Sequence, residues 1–218
     1  MSSRLLPITY LFDPLCGWCY GAAPQIERLA QHPGIELTLA PTGLFAGAGA
    51  RQMDTRFAAY AWSNDQRIQQ LTGQPFSQHY QEVLLNNPAG SRFDSGPSSL
   101  ALSAVLLTAP AQELAMLERM QEARYVQGLD TSDATVLAQL LREAALPEAA
   151  ERLLAPDAAL LDAHQLRVQQ AQALMQRLGA QGVPGLVLTP PNGQPPRLLR
   201  GDVLYGRFED LLAQLAGR

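Results

Sequence analysis

Both cysteines of this chain lie in a single four-residue stretch, Cys16-Gly17-Trp18-Cys19. Two thiols at this spacing at the start of a helix can form and break a disulfide bond reversibly. The apolar run 8–12 precedes the pair, and the amphipathic segment 22–30 follows it. A strand, a turn that carries the two thiols and then a helix indicate redox chemistry rather than a chance spacing.

The two thiols are expected to have different roles. A thiolate, not a thiol, attacks a disulfide, and the unpaired N–H groups and dipole of a helix N-terminus favour the anion. Cys16 comes first and is therefore expected to be the exposed nucleophile. Cys19 lies one turn into the helix, where we expect it to be more buried and to act as the resolving thiol that releases a mixed disulfide.

Two side chains beside the pair could tune its chemistry. Trp18 is expected either to cover apolar surface at the site and contact substrate, or to serve only as a packing aromatic. Asp13 precedes Cys16 by three residues, and Pro14 suits the first turn of a helix, so we expect Asp13 to cap that helix. The alternative is that Asp13 accepts a proton from Cys19, although its negative charge would raise the pKa of a nearby thiol.

The order of predicted elements indicates the fold class. Residues 7–40 are typical of a β-α-β unit with parallel strands at 8–12 and 35–39 and a right-handed crossover. The Gly/Ala-rich stretch 43–49 ends this unit, and helical patterns then continue to about residue 179. The clearest predicted helices of that block are 98–107, 111–125 and 158–178.

The chain then returns to strands. An apolar strand at 186–188, a turn at 190–193 and a second strand at 197–201 predict a hairpin, and a helix at 208–215 follows. The whole order predicts an α/β, thioredoxin-like fold with a large all-helical insertion. We assign 1–48 and 180–218 to the thioredoxin-like domain. The insertion is 49–179, and its last helix, with Leu161, Leu166 and Ala171 among its apolar positions, leads back into the core.

A second part of the site is expected at Gly182-Val183-Pro184, just before the strand 186–188. Proline cannot donate a hydrogen bond to a sheet, so at the entry to a strand it often marks a cis bond or a special turn. If Pro184 lies opposite Cys16, the backbone of Val183 is free to bind a substrate peptide as an added strand.

The run Asp13-Pro14-Leu15-Cys16-Gly17-Trp18-Cys19-Tyr20-Gly21 resembles the motif of the DsbA-like thioredoxin superfamily. More narrowly, the chain resembles the FrnE-like branch of predicted protein-disulfide isomerases, also in segment 123–130 and in 182–184. The resemblance spans nearly the whole chain. It implies a thioredoxin fold interrupted by a helical domain, disulfide exchange or isomerisation at the CxxC pair, and a cis peptide bond at Pro184.

The chain departs from that family in two respects. Relatives often carry a further cysteine after the proline that matches Pro97, whereas this chain has Ser98 and Ser99 there. The best-known DsbA-like oxidants are periplasmic, whereas residues 1–7 lack the apolar stretch of an export signal. Oxidation, isomerisation and reduction therefore all stay open as the direction of the reaction.

Composition narrows the class of protein. A net charge of −4 and a pI of about 5.4 argue against a nucleic-acid partner, and no apolar run is long enough for a membrane span. We expect a cytoplasmic location, where a CxxC pair is more often catalytic than structural. The expected partners are a disulfide-containing protein or peptide substrate and a thiol redox partner. No cofactor is expected, and glutathione is a candidate for that thiol partner.

Three other interpretations compete with dithiol chemistry. A structural zinc site needs four ligands, and the chain has no second cysteine pair. The scattered His32, His79 and His164 are expected to be surface or capping residues rather than ligands. A glutathione transferase of the kappa type, or a 2-hydroxychromene-2-carboxylate isomerase, shares the expected architecture, but these enzymes typically present serine rather than a cysteine pair at the nucleophile position.

The third alternative is a binding or dimerising module in which the CxxC pair is vestigial. Most apolar stripes at helical spacing are core, so this interpretation needs a surface that the core does not use. A groove over the active site could provide one, with candidate lining residues Arg51, Gln52, Met53, Phe57, Tyr60 and Trp62.

Overall fold

A computed structural model describes residues 5–87, 92–190 and 193–216 of the chain. The strands are β1 (Leu6–Phe12), β2 (Ile35–Pro41), β3 (Arg51–Gln52), β4 (Arg92–Phe93), β5 (Gly185–Leu188) and β6 (Arg197–Arg200). The helices are α1 (Gly17–Gln31), α2 (Thr55–Thr72), α3 (Gln78–Tyr80), α4 (Gly96–Thr108), α5 (Glu113–Tyr125), α6 (Ala134–Glu143), α7 (Pro147–Leu154), α8 (Ala158–Leu178) and α9 (Phe208–Leu215).

A four-stranded mixed sheet in the order β2-β1-β5-β6 forms the centre of the molecule. β1 and β2 are parallel over their full length, from Leu6 opposite Ile35 to Phe12 opposite Pro41, as the predicted β-α-β unit requires. β5 pairs antiparallel with both β1 and β6, which confirms the predicted hairpin strands. This sheet and the helical insertion form a thioredoxin-like fold of the predicted α/β class.

Other elements cover both faces of the central strands. This is why the sequences of β1 and β5 are nearly continuous apolar runs. Along β1, Ile8, Tyr10 and Phe12 pack with α1 and the insertion in one hydrophobic cluster. Leu11, on the opposite face, packs instead with Val187 of β5 and Ala171 of α8. The alternation follows the two-residue period of a strand.

Among the described residues from β3 to α8, most are helical, and β3 and β4 form a short two-stranded sheet. β3 and β4 pair antiparallel, Arg51 opposite Phe93, so the insertion is not all-helical as predicted. Two residues per strand give no alternation to detect in the sequence. Buried residues of α4 to α7 belong to the same cluster as the β1 face. The division into 1–48, 49–179 and 180–218 stays a prediction.

Helices α8 and α9 begin and end at the predicted residues, but the predicted apolar face of α8 is partly wrong. Leu160 and Ala171 are buried, whereas Leu161 and Leu166 are 48% and 55% exposed. The predicted turn 190–193 lies partly outside the described residues. Across the part of the chain that is described, no helix is long and apolar enough to cross a bilayer.

A proline inside α1 ties that helix to the insertion. Pro24 has no N–H group, so the carbonyl of Tyr20 four residues earlier loses its partner within the helix. The side chain of Gln74, just after α2, donates a hydrogen bond of 3.1 Å to this carbonyl oxygen. The insertion thereby satisfies a buried backbone group of the helix that carries the thiols.

Two glycines let α2 lie close against the same helix. Gly17 and Gly21 are four residues apart and so share one face of α1. A Cβ atom on Gly21 would lie 2.6 Å from Cγ2 of Ile68, and one on Gly17 would lie 2.6 Å from Oδ1 of Asp65. A side chain at either position would push α2 away from the start of α1.

We predict that Gly21→Ala destabilises the fold. A methyl in this tight contact is expected to cost about 1–3 kcal/mol in overpacking, because the branched Ile68 cannot swing its Cγ2 aside. Urea unfolding measures the loss. Gly206→Ala is the matched control, because a Cβ atom there meets nothing within 4 Å. Equal unfolding free energies for the two variants would contradict the steric argument.

Candidate active site

The two cysteines are free thiols at the first turn of α1. Cys16 is the N-cap residue, and its backbone carbonyl accepts hydrogen bonds from the N–H groups of Cys19 and Tyr20. No side chain caps this end of the helix. The thiol of Cys16 therefore stands where a capping oxygen would stand in other helices, at the end whose N–H groups favour a negative charge.

Burial distinguishes the two thiols, though less than predicted. Cys16 is 6% exposed and Cys19 1%, so the expectation of an exposed Cys16 is wrong while the order of burial is confirmed. Burial, then the hydrogen bond with Cys16 and its charge, raise the pKa of Cys19 well above the ordinary value. Cys19 therefore holds its proton at neutral pH.

The peptide bond between Val183 and Pro184 is cis, as the family resemblance implies. The loop before β5 brings this bond against the first cysteine. The thiol of Cys16 donates to the carbonyl oxygen of Val183 at 3.7 Å, across 167 positions of sequence. Val183 is half-buried and Pro184 is buried. The predicted second half of the site is thus in contact with Cys16.

Asp13 does not cap α1, which corrects the favoured prediction. Its buried carboxylate accepts hydrogen bonds from the N–H groups of Leu15 (2.9 Å) and Phe45 (3.0 Å) and from the hydroxyl of Ser95 (2.7 Å). Burial raises the pKa of Asp13, while these bonds oppose that shift. The side chain joins the turn before the thiols to two distant segments, including the start of α4. Its role as a proton acceptor for Cys19 is not tested.

Trp18 lies half-buried at the rim of the site. Its ring packs at 5.2 Å from the ring of Tyr205, and the Tyr205 hydroxyl donates to the Trp18 carbonyl at 3.0 Å. The guanidinium of Arg67, on α2, lies 5.8 Å from the centre of the indole ring. Both expected roles of Trp18, packing and substrate contact, are compatible with this position.

A mostly apolar cavity of about 400 Å³ opens over Cys16, Gly17 and Trp18. The insertion provides its far wall. Of the groove residues expected from the sequence, Arg51, Phe57 and Tyr60 line this cavity. Gln52, Met53 and Trp62 do not, and the aromatic residues Phe45, Phe93, Tyr80 and Tyr125 take part instead.

The cavity contains one acidic group that was not predicted from the sequence. Asp65 of α2 is 4% exposed and lines the cavity above Gly17. Its Oδ2 accepts a hydrogen bond of 3.1 Å from the Tyr80 hydroxyl. Burial raises the pKa of Asp65 to about 7, against the lowering effects of the Tyr80 bond and the charge of Arg124. This carboxyl group can therefore gain and lose a proton near neutral pH.

Aromatic rings hold the floor of the cavity in place. Tyr125 stacks on Tyr20 at 4.9 Å and meets Phe76 and Tyr80 edge-on at 4.9 and 5.2 Å. Its hydroxyl donates a hydrogen bond of 2.8 Å to the carbonyl oxygen of Leu15, the residue before Cys16. Each such ring pair contributes about 0.5–1.5 kcal/mol beyond the area it buries.

The histidines take no part in the site. His32 accepts a hydrogen bond from the N–H group of Gly34 in the turn after α1, and His79 is exposed. His164 is half-buried and pairs with the hydroxyl of Ser103 at 3.0 Å, which the expectation of a surface or capping residue did not include. The described residues contain no group of three or more His, Cys, Asp or Glu side chains placed to hold a metal ion.

Two side chains of the site, Asp65 and Ser95, were not predicted from the sequence, for different reasons. Asp65 follows Ala58 and Ala61 at helical spacing and precedes Ile68, so an acid on an apolar stripe was a detectable signal. Ser95 gave no such signal, because its contact with Asp13 spans 82 positions.

The chain belongs to the family of the DSBA-like thioredoxin domain, whose model matches residues 8–213. The family match, the fold and the CxxC pair together place the chain among the thiol-disulfide oxidoreductases. No protein with a curated description matches it significantly. Among solved structures, it is similar to the cytosolic disulfide reductase DsbM of Pseudomonas aeruginosa, with 33% identity, a TM-score of 0.82, and coverage of 98% of this chain and 100% of that one.

Three further structures are similar. DsbM with GSH is 32% identical, with a TM-score of 0.82 over 97% of this chain and 98% of that one. A putative protein disulfide isomerase of Nitrosomonas europaea is 22% identical, with a TM-score of 0.77 over 98% and 97%. A 2-hydroxychromene-2-carboxylate isomerase is 16% identical, with a TM-score of 0.60 over 96% of each chain. The last two show a shared fold alone.

We predict that Asp65→Asn weakens the fall of stability with pH. The unfolded chain loses the Asp65 proton near its ordinary pKa of 3.8, whereas the folded chain keeps it to about 7. The contribution of Asp65 to stability is therefore highest below the lower value and falls as pH rises to the upper one, by at most about 1.4 kcal/mol per pH unit. Above that range the contribution is constant.

Urea unfolding at a series of pH values between these limits measures the effect. Other carboxyl groups titrate in the same range, so the quantity to compare is the wild-type value minus that of Asp65→Asn. This difference is expected to fall steadily with rising pH. A difference that does not change with pH would show that Asp65 has an ordinary pKa in the folded protein.

Proposed function

We propose that this protein is a disulfide reductase in which Cys16 is the nucleophile and Cys19 the resolving thiol. One observation carries the proposal. Cys16 lines a cavity at an uncapped helix N-terminus, and Cys19 lies beneath it, buried and with a raised pKa. A sulfur that faces a cavity at a helix N-terminus and a more deeply buried sulfur that holds its proton are the two groups that stepwise disulfide exchange needs.

The reaction balances with the two thiols alone. The Cys16 thiolate attacks one sulfur of the substrate disulfide, forms a mixed disulfide and releases the other sulfur as a thiolate. Cys19 then loses its proton and attacks Sγ of Cys16, which releases the second substrate thiol and leaves a Cys16–Cys19 disulfide. Two electrons pass from the dithiol to the substrate. A thiol partner then reduces the protein again.

Glutathione is the thiol partner that we propose. The cavity of about 400 Å³ is within the range of small-ligand sites. Arg51 lines the cavity and Arg67 lies beside Trp18, and both are exposed. Their positive charges could pair with the two carboxylates of glutathione. A structure of DsbM, 32% identical to this chain, is described as containing GSH. A protein or peptide disulfide remains the proposed substrate, with the Val183 backbone as its docking strand.

The finer assignments rest on similarity. DsbM is described as a cytosolic disulfide reductase, which supports reduction as the direction and the cytoplasm as the compartment. Isomerase activity, which the family resemblance implies, stays a prediction. The alternative of a transferase or 2-hydroxychromene-2-carboxylate isomerase has only fold similarity in its favour, and this chain presents a cysteine pair at the site.

We predict that the two cysteine variants fail at different steps. Cys16→Ser removes the attacking sulfur and is expected to abolish reduction of a peptide disulfide. Cys19→Ser retains the attacking sulfur but cannot resolve the product, so a covalent peptide adduct on Cys16 is expected to accumulate. Intact-protein mass spectrometry after a short incubation distinguishes the two. Equal residual turnover in both variants would overturn the assignment of roles.

The reduction potential of the Cys16–Cys19 couple decides the direction of the reaction. Equilibration in glutathione buffers, followed by thiol alkylation and mass measurement, gives its value. A reductase is expected near the thioredoxin value of about −270 mV, whereas a value near the DsbA potential of about −120 mV would indicate an oxidant. No reversible disulfide between these limits would contradict dithiol chemistry and favour the transferase or binding-module alternatives.

A further inference from the structure

Asp65 has a position that packing alone does not explain. An acid buried on the inner face of α2 loses hydration, and one hydrogen bond from Tyr80 compensates only part of that loss. The cation whose charge acts on it, Arg124, forms its ion pair with Asp130 at 3.7 Å. A leucine or an asparagine at this position would cost less desolvation free energy. The presence of an acid therefore requires an explanation.

The geometry places this acid at the reacting end of α1. Its Oδ1 lies 2.6 Å from where a Cβ atom of Gly17 would be, and Gly17 is the residue directly after the nucleophile. Asp65 and Cys16 line the same cavity. Tyr125 lines this cavity with both of them. A disulfide that reaches Cys16 through the cavity therefore comes up against Asp65.

We propose that Asp65 carries the proton of the exchange reaction, as the base for the thiol of Cys16 and then as the acid for the first sulfur that leaves the substrate. This inference rests on the proposed function. In the first step the Asp65 carboxylate takes the proton from Cys16, and the resulting thiolate attacks the substrate disulfide. In the second step the Asp65 carboxylic acid gives that proton to the departing thiolate. The carboxylate is restored, and no other reactant is needed.

The charges around the site favour this sharing of one proton. Two anions in one cavity repel each other, so a carboxylate at Asp65 and a departing thiolate are more stable with a proton between them. The groups that face Asp65 are the hydroxyls of Tyr80 and Tyr125 and the cation of Arg124, with Arg51 on the same cavity wall. An acid with a pKa of about 7 is well matched to proton transfer at neutral pH.

The test compares two uncharged disulfides whose leaving groups differ. Bis(2-hydroxyethyl) disulfide releases an alkyl thiolate, which needs a proton, whereas 4,4′-dithiodipyridine releases a stabilised aromatic thiolate, which leaves readily without one. Pre-reduced protein is mixed with each in a stopped-flow instrument. Because both reactions need the Cys16 thiolate, Asp65→Asn is expected to slow both, and to slow the alkyl reaction about tenfold or more beyond the aromatic one.

Two further variants sharpen the result. Asp162→Asn removes one negative charge from the exposed face of α8 and is expected to change neither rate. Tyr80→Phe removes the hydrogen bond that lowers the pKa of Asp65, so the pH at which the alkyl rate changes is expected to shift upward. A residue with only a structural role would not produce that shift.

The outcomes separate the inference from the function on which it rests. If wild-type protein reacts with both disulfides and Asp65→Asn slows both equally, or slows neither, Asp65 does not carry the proton and the proposed function stands. If wild-type protein reacts with neither disulfide through Cys16, the proposed function is overturned, and the inference with it.

Discussion

Helix α1 has no side chain at Gly17 or Gly21, and this bare face lets α2 lie directly against the helix that carries the thiols. The constraint is steric, because packed interiors leave no room for a methyl group at a separation of 2.6 Å. Three features depend on it: the position of Asp65, the wall of the cavity over Cys16, and the reach of Gln74 to the carbonyl freed by Pro24. The site is complete only where core and insertion are packed together.

Two chemically identical thiols behave differently because they lie at different depths on one helical turn. Cys16 stands at the N-cap, where unpaired N–H groups stabilise an anion. Cys19 is covered by the core, where burial penalises the same anion. In the proposed mechanism this difference orders the exchange, since the inner thiol would become a nucleophile only after the outer one is bound in a mixed disulfide and no longer charged. The fold itself therefore separates attack from resolution.

Local pattern predicted the parts of the fold that local interactions determine. The β1-α1-β2 unit, the hairpin strands and the ends of α8 and α9 follow from periodicity and caps. The interpretation of Asp13 as a cap is wrong because its carboxylate finds better donors 32 and 82 residues away, at Phe45 and Ser95. The exposure of Leu161 and the raised pKa of Asp65 likewise depend on which helices pack together. The periodicity of a single sequence does not reveal that packing.

The core and the insertion contribute different parts of the chemistry. The core provides the thiol pair, the cis bond at Pro184 and the helix N-terminus, which any protein with this fold and motif can provide. The insertion provides Arg51, Tyr60 and Asp65, which line the cavity over Cys16. The thiol pair and the cis bond offer few side chains that could distinguish one disulfide from another. We therefore expect selectivity among disulfides to depend on the side chains that the insertion places over the thiols.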